Sequence, residues 1–343
     1  MTELMKRQER AIFDLRSLYS RYGYGPYKMS RFEEYDLYVR NKDFLVSDQI
    51  ITFSGDRGRL LALKPDVTLS IVKNAPEEPG VIQKVYYNEN VYRDYREILQ
   101  AGLECVGDLG DYEIAEVVLL AVKSLQLLGE TFVLDISHMG LIAAVLESCG
   151  FDGKNQKQAM QLLRRKSAHE LKALCGTNSA AWEKLEALLT CRELSQLEAV
   201  LDTPAECAAL AELNSLLAIL PTEGVRLDFS VGSNLGYYSG VVFRGFLAGV
   251  PAPILSGGQY DKLPRKMGRK ARAIGFALYL DLLQGEESLM DVDTVILHDG
   301  TVDTAKLMAA AQEAAETGSV LVCTALPKNR SWKRMVTLKE EQR

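Results

Sequence analysis

The stretch Arg96–Val106 constrains the fold more than any other part of the chain. Leu99, Ala101, Leu103 and Cys105 alternate with Gln100, Gly102 and Glu104. A repeat of two is the side-chain period of a β-strand, so the apolar set shares one face and the polar set the other. The apolar face needs a core. The polar face offers an amide, a residue without a side chain and a carboxylate. A carboxylate accepts from an ammonium or ring N–H, an amide does either job, and the glycine leaves room, which suits a small zwitterion. Taken alone, the same face also suits an exposed edge strand.

The flanking sequence places this strand in an α+β domain. Lys6–Arg21 has helical spacing of Ile12, Leu15, Leu18 and Tyr19, with Gly23 just beyond. Ile50–Phe53 and Leu60–Leu63 flank Gly55-Asp56-Arg57-Gly58, a hairpin signal. Val81–Tyr87 is a further strand. Asp111–Leu128 carries one apolar stripe, with Asp111 as its expected N-cap. Phe132–Ile136 reads as a buried strand before a helix that ends at Cys149-Gly150. Asn155–Leu220 is helical and strand-poor, an insertion rather than a continuation of the sheet. Strands return at Val225–Phe229, Tyr237–Phe246 and Ala252–Ser256, and an apolar stretch covers Ala273–Leu283. Hairpins outnumber βαβ alternation, which indicates a largely antiparallel sheet. Gln284–Ser288 is a linker candidate, so the expected division is 1–283 and 284–343. In the short second piece Thr294–Leu297, Val302–Ala315 and Val320–Cys323 read as strand, helix, strand.

A formal charge of −6 over 343 residues argues against a nucleic-acid-binding surface. Arg265, Lys266, Arg269, Lys270 and Arg272 still cluster, either as a solvated loop or as an anion contact. None of the six cysteines forms a C-x-x-C pair and the three histidines are far apart, so metal, redox and histidine-triad chemistry find no support. The polar start, Met1–Arg10, resembles no export signal, and no run of about 18 apolar residues is present. A reducing cytoplasm is the expected compartment.

Two further segments bear on the polar face. Leu255–Leu263 places Gly257 and Gly258 at the end of a strand, where missing side chains often mark close approach by a ligand. Asn234–Phe243 carries the pair Tyr237 and Tyr238. Upstream, Leu61–Thr68 is a strand stopped by Pro65 and followed by Asp66 and Thr68. In this order Leu-Lys-Pro-Asp-x-Thr, Gln-x-Gly-x-Glu-x-x-Gly, Leu-x-Tyr-Tyr-x-Gly and Gly-Gly-x-Tyr-Asp-x-Leu resemble the histidyl-tRNA synthetases and their paralogues, the regulatory subunits of ATP phosphoribosyltransferase. The resemblance covers roughly Met5–Leu283.

The resemblance implies a class II aminoacyl-tRNA synthetase-like fold that dimerises, with a histidine pocket on the sheet. Gln100 and Glu104 match the positions that hold the substrate, Asp66 and Thr68 those that grip its amino group, and Tyr237 and Tyr238 the pair beside its imidazole. Gly257 and Gly258 match the glycine wall, and Arg93 an arginine that contacts the α-phosphate. The departures lie on the nucleotide side. Ser233 replaces an arginine, Tyr279 and Leu282 stand where a glycine and an ATP-clamping arginine are usual, and only Asp94-Tyr95 follows Arg93 before the next strand. Gln259 and Asp66 stand where arginine and glutamate are frequent, and the piece after Leu283 is shorter than the anticodon-binding domain. Losing one preorganised donor costs about 10²–10³ in rate. The expected protein is therefore a regulatory subunit without chemistry or cofactor of its own. It would partner the short-form catalytic subunit of ATP phosphoribosyltransferase in the first step of histidine biosynthesis and its feedback control. The alternative is a divergent histidyl-tRNA synthetase.

Overall fold

The computed structural model describes residues 7–45, 49–76, 78–231, 237–283, 292–327 and 330–339. Its contacts gather into two compact units, Met1–Leu283 and Gln284–Arg343.

In the first unit, helix α1 (Arg7–Arg21) leads into β1 (Gly25–Pro26). Strands β2 (Phe32–Glu34), β3 (Thr52–Ser54) and β4 (Leu60–Leu63) make a small sheet in the order β2-β4-β3. Helix α2 (Tyr35–Arg40) lies between its first two strands and α3 (Thr68–Asn74) follows its last. The expected hairpin is present: Ser54 pairs with Leu60, and Gly55 N–H donates to the Arg59 carbonyl at 2.8 Å.

Strands β5 (Ile82–Arg93) and β6 (Arg96–Gly107) come next. They are joined by Asp94 and Tyr95 alone, at φ 51° and 60°. Two left-handed residues are what a two-residue hairpin turn requires to match strand twist. Helix α4 (Asp111–Leu128) follows. Its cap is Gly110 rather than Asp111, because Glu113 reaches back to accept from Gly110 N–H at 2.8 Å. Strand β7 (Phe132–His138) and helix α5 (Met139–Ser148) lead into the helical insertion, α6 (Gly153–Arg164), α7 (Ala168–Cys175), α8 (Ser179–Thr190), α9 (Ser195–Glu198) and α10 (Pro204–Ile219). The unit closes with β8 (Val225–Leu227), β9 (Val241–Leu247), β10 (Leu255–Gln259), α11 (Lys262–Lys266) and β11 (Arg272–Tyr279). Strand β9 starts later than expected, since Tyr237–Gly240 lie in a turn.

The large sheet has the order β1-β5-β6-β11-β10-β9-β7-β8. Only β1 with β5 and β7 with β8 run parallel; every other pairing is antiparallel. Strand β6 sits near the centre and is buried on both sides. Ala101, Leu103 and Cys105 join the core that α1, α4 and α5 share with the insertion. On the other face Val85, Tyr87, Val91 and Val106 pack into a second core with Tyr38, Ala62, Val67 and Leu69, built around the small sheet. The site lies between the sheet and this second core.

The second unit holds β12 (Val292–His298), α12 (Thr304–Ala315), β13 (Val320–Cys323) and β14 (Trp332–Leu338). Strand β12 pairs in parallel with both others. Asp303 caps α12 by accepting from Ala305 N–H at 3.1 Å, so this helix starts two residues later than the apolar pattern implies. Strand β14 was not among the expected elements. Among the described residues no group of three His, Cys, Asp or Glu is placed to hold a metal. No described helix is long and apolar enough to cross a membrane.

Candidate functional site

Glu104 is the centre of the site. It projects from β6 into the second core and is 2% exposed. Thr68, the first residue of α3, donates to Oε1 at 2.6 Å, and the Tyr260 hydroxyl donates to Oε2. Burial pushes the carboxyl up to about 8; the two hydroxyl bonds pull it down, and nearby Asp66 pushes it up again. A chemically versatile acid results, one whose charge state at neutral pH depends on what lies beside it.

Space for that carboxyl comes from the opposite strand. Glu104 pairs with Gly275 of β11, and a Cβ there would lie 1.7 Å from Oε2. One strand further, Gly275 pairs with Gly258, whose φ is +158° and whose own Cβ would press on the Tyr238 ring at 2.8 Å. Gly258 therefore lies on the Glu104 face, under a tyrosine. Gly257 does not. It pairs with Phe276, and a Cβ there would meet Phe276 and Phe243 on the α-helical side. The two glycines answer two different crowding problems on opposite faces of one strand.

Gln100 shares the Glu104 face and is 4% exposed, next to Glu89 on β5 and Tyr279 on β11. The gap at Gly102 is filled from within the protein. Tyr87 is its direct partner on β5, and a Cβ on Gly102 would fall 2.5 Å from the Tyr87 hydroxyl. Glu89 is fixed by Lys64, whose ammonium donates to it at 2.5 Å and whose side chain is almost wholly buried. Tyr87, Tyr260 and the Lys64–Glu89 pair were not picked out from the sequence. Tyr260 lies within the glycine motif, but nothing local shows that its ring reaches another strand.

Asp66 and Thr68 approach from the start of α3. One Asp66 oxygen accepts from Leu69 N–H at 2.8 Å, which ties it to the helix N-terminus. Burial raises its pKa, while the Leu69 bond and the Arg93 charge oppose that rise. Arg93, at the end of β5, is 6% exposed and lies 5.9 Å from the centre of the Tyr279 ring. Its Nε has no hydrogen-bond partner among the described residues.

Tyr237 and Tyr238 pack edge to face at 4.6 Å between ring centres. Tyr237 also contacts Phe44 at 5.5 Å and Tyr260 at 5.8 Å. Burial, then neighbouring tyrosine and acid charges, holds both hydroxyls protonated far into the alkaline range. Gln259 turns away from this face, donating to Asp261 at 2.7 Å and occupying the space beside Gly240. Eight of the nine expected site residues thus line one face or its rim, and Gly257 is the exception.

Of the positions where the resemblance departs, Leu282 lies in a 3-10 turn spanning Leu280–Leu283. Ser233 falls outside the described residues. The basic cluster is partly committed to internal contacts: Lys266 bonds Asp43 at 3.0 Å, Arg272 the Leu109 carbonyl at 2.8 Å, and Arg269 the carbonyls of Lys73 and Ala75. His138, one of the three histidines, caps α5 by accepting from Leu141 N–H at 3.1 Å.

A family profile described as histidyl-tRNA synthetase matches residues 2–283. The chain belongs to the histidyl-tRNA synthetase family. Within it, the chain is 27% identical over 336 residues to an ATP phosphoribosyltransferase regulatory subunit of Acetivibrio thermocellus, covering 92% of this chain and 79% of that one. A protein of the same name from Symbiobacterium thermophilum is 34% identical over 265 residues, 70% of this chain and 66% of the other. Among solved structures, an ATP phosphoribosyltransferase regulatory subunit/histidyl-tRNA synthetase from Bacillus halodurans superimposes with a TM-score of 0.75 at 22% identity, covering 98% of this chain and 95% of the other. The fold is accordingly that of a class II aminoacyl-tRNA synthetase.

Proposed function

We propose that this chain is the regulatory subunit of ATP phosphoribosyltransferase and that it binds histidine without activating it. One observation carries the reading. The sheet face keeps a buried acid with two hydroxyl donors, Glu104 with Thr68 and Tyr260, while Leu282 supplies no cation where the family resemblance calls for an ATP-clamping arginine. Relatives that carry the regulatory-subunit name over most of their length support it.

In this reading histidine lies over β6 and β11. Its ammonium stands near Asp66 and Thr68, its imidazole near Glu104 and the tyrosine pair, and Arg93 faces its carboxylate end. No cofactor or nucleic acid takes part, and adenylation is lost. The protein is a cytoplasmic homodimer that assembles with the short-form catalytic subunit. Histidine biases that assembly because it binds one state better than another. Co-expression with the short-form subunit and an activity assay with and without histidine test this. Activity that needs both chains and falls with histidine is the expected result; a catalytic subunit indifferent to this chain removes the proposal.

Arg93 favours a second reading, a divergent histidyl-tRNA synthetase, because a buried guanidinium is retained at the phosphate-contact position. Histidine-dependent exchange of pyrophosphate into ATP by the purified protein would establish it.

A further inference from the structure

A concavity opens on the Glu104 face of the sheet, away from Glu104 itself. It encloses about 430 Å³, and its walls include Arg164, Arg165, Arg244, Asp135, Asp228 and Phe246. Cross-strand register fixes its place: Arg244 on β9 pairs with Asp135 on β7 and with Ser256 on β10, in the row that continues to Ala277 and Gly102. Strand β9 is three strands from β6 in the sheet order. At about 4.8 Å per strand, the two sites lie roughly 14 Å apart.

The charge balance of the cavity is opposite to that of the protein. Both lining acids already have cations: Arg226 Nη2 donates to Asp135 at 3.0 Å, and Lys166 to Asp228 at 2.8 Å. Among the described residues that line the cavity and those two partners, five cations stand with two carboxylates, in a chain of formal charge −6. Arg164, Arg165 and Lys166 end helix α6, where basic residues complement the helix dipole. That explains their charge but not their convergence with Arg244, which comes from a strand distant in sequence. A guanidinium is a planar fork that fits phosphate oxygens two at a time. Phe246 gives one wall an aromatic surface, and the volume is within the range of small-ligand sites, about 300–1,000 Å³.

We propose that this cavity binds a phosphorylated small molecule, with Arg164, Arg165 and Arg244 on its phosphate oxygens. The inference is independent of what lies over Glu104. Calorimetric titration of the full chain with pyrophosphate tests it, using Arg165→Gln and Arg244→Gln as separate variants and Lys28→Gln, an exposed position just after β1 at the opposite edge of the sheet, as the control. We expect saturable binding that weakens about tenfold in each cavity variant, consistent with loss of a charge-assisted contact, and is unchanged in the control. Arg165 is exposed, so its replacement reads binding rather than folding. No saturable binding, affinity equal to wild type in both cavity variants, or equal weakening in Lys28→Gln would overturn the assignment, the last by reducing it to diffuse attraction.

Discussion

Glu104 and Gly275 face one another across β6 and β11, and the acid occupies the volume that any side chain on Gly275 would need. The clash is not with the carboxyl alone. A Cβ on Gly275 would also come within 2.5 Å of the Leu103 carbonyl, which is backbone. Gly275→Ala therefore overpacks a buried sheet. Unfolding in denaturant should show a loss of about 1–3 kcal/mol. Adding Glu104→Ala should recover only part of it, because the backbone contact remains.

The elevated pKa of Glu104 has a definite consequence for stability. Folded, it titrates near 8; unfolded, near 4.5. Between those values the native state binds the extra proton, so this group's contribution is full below about pH 4.5 and is lost as pH rises through 8. Glu104→Gln keeps the shape and removes the titration. The stability of wild type relative to Glu104→Gln should fall by about 1.4 kcal/mol per pH unit within that window. Melting curves of both proteins from pH 5 to 9 measure it; parallel curves would place the carboxyl in solvent. An ammonium or imidazolium held beside the acid would ionise it. The free imidazole is mostly neutral at pH 7, so a ring beside Glu104 becomes imidazolium by taking the acid's own proton. Histidine binding at pH 7 should accordingly exchange few protons with solvent, read as a heat that changes little with the ionisation enthalpy of the buffer.

Tyr260→Phe isolates one of the two donors on Glu104. The ring still packs against Tyr237, but Oε2 loses its hydroxyl. A hydrogen bond to a charged group is worth about 1.5–3 kcal/mol. Histidine affinity by calorimetry should drop at least tenfold while the fold persists. Unchanged affinity would mean that the hydroxyl does not position the acid.

The central strand was readable because its information is local. A period of two placed Gln100, Gly102 and Glu104 on one face and Leu99, Ala101, Leu103 and Cys105 on the other, and both cores bear that out. Gly257 was open to the same treatment, since neighbours in a strand face opposite ways and only one of Gly257 and Gly258 joins the Glu104 face. Tyr87 over Gly102 was not readable, because it depends on the β5–β6 register, which a two-residue turn fixes. Helix α4 appeared over its full extent from one apolar stripe, whereas β14, with only partly buried and exposed positions, offered no comparable pattern.

The insertion has a polar anchor with a testable sign. Lys184 on α8 donates to both oxygens of Glu206 at 3.0 Å and to Asp202 at 2.5 Å, with Ser148 of α5 also on Glu206. Burial pushes Glu206 up, but bonds from Ser148, the Thr203 backbone, Lys184 and the Asp202 backbone overcome it and hold the acid at about 2. Its stabilisation is present above about pH 4.5 and is lost as pH falls towards 2. Lys184→Met leaves a buried carboxylate without its cation and should cost about 3–5 kcal/mol in denaturant unfolding. Lys184→Met combined with Glu206→Leu should regain most of that loss; equal instability in single and double variants would show that the helices rely on the ion pair itself.

The turn between β5 and β6 gives the last test. Asp94 and Tyr95 both hold positive φ, and Tyr95 is 83% exposed, so no burial compensates the strain of its ring-bearing Cβ. Aspartate tolerates the left-handed region through its short polar side chain; tyrosine has no such advantage. Asp-Gly is a favoured pair for this turn. Tyr95→Gly should therefore raise stability by about 1 kcal/mol despite the greater freedom of glycine in the unfolded chain. Arg93 and Arg96 pair directly beside the turn. If Tyr95→Gly instead destabilises the protein, the ring is making a contact that holds the end of β5, and with it the orientation of Arg93.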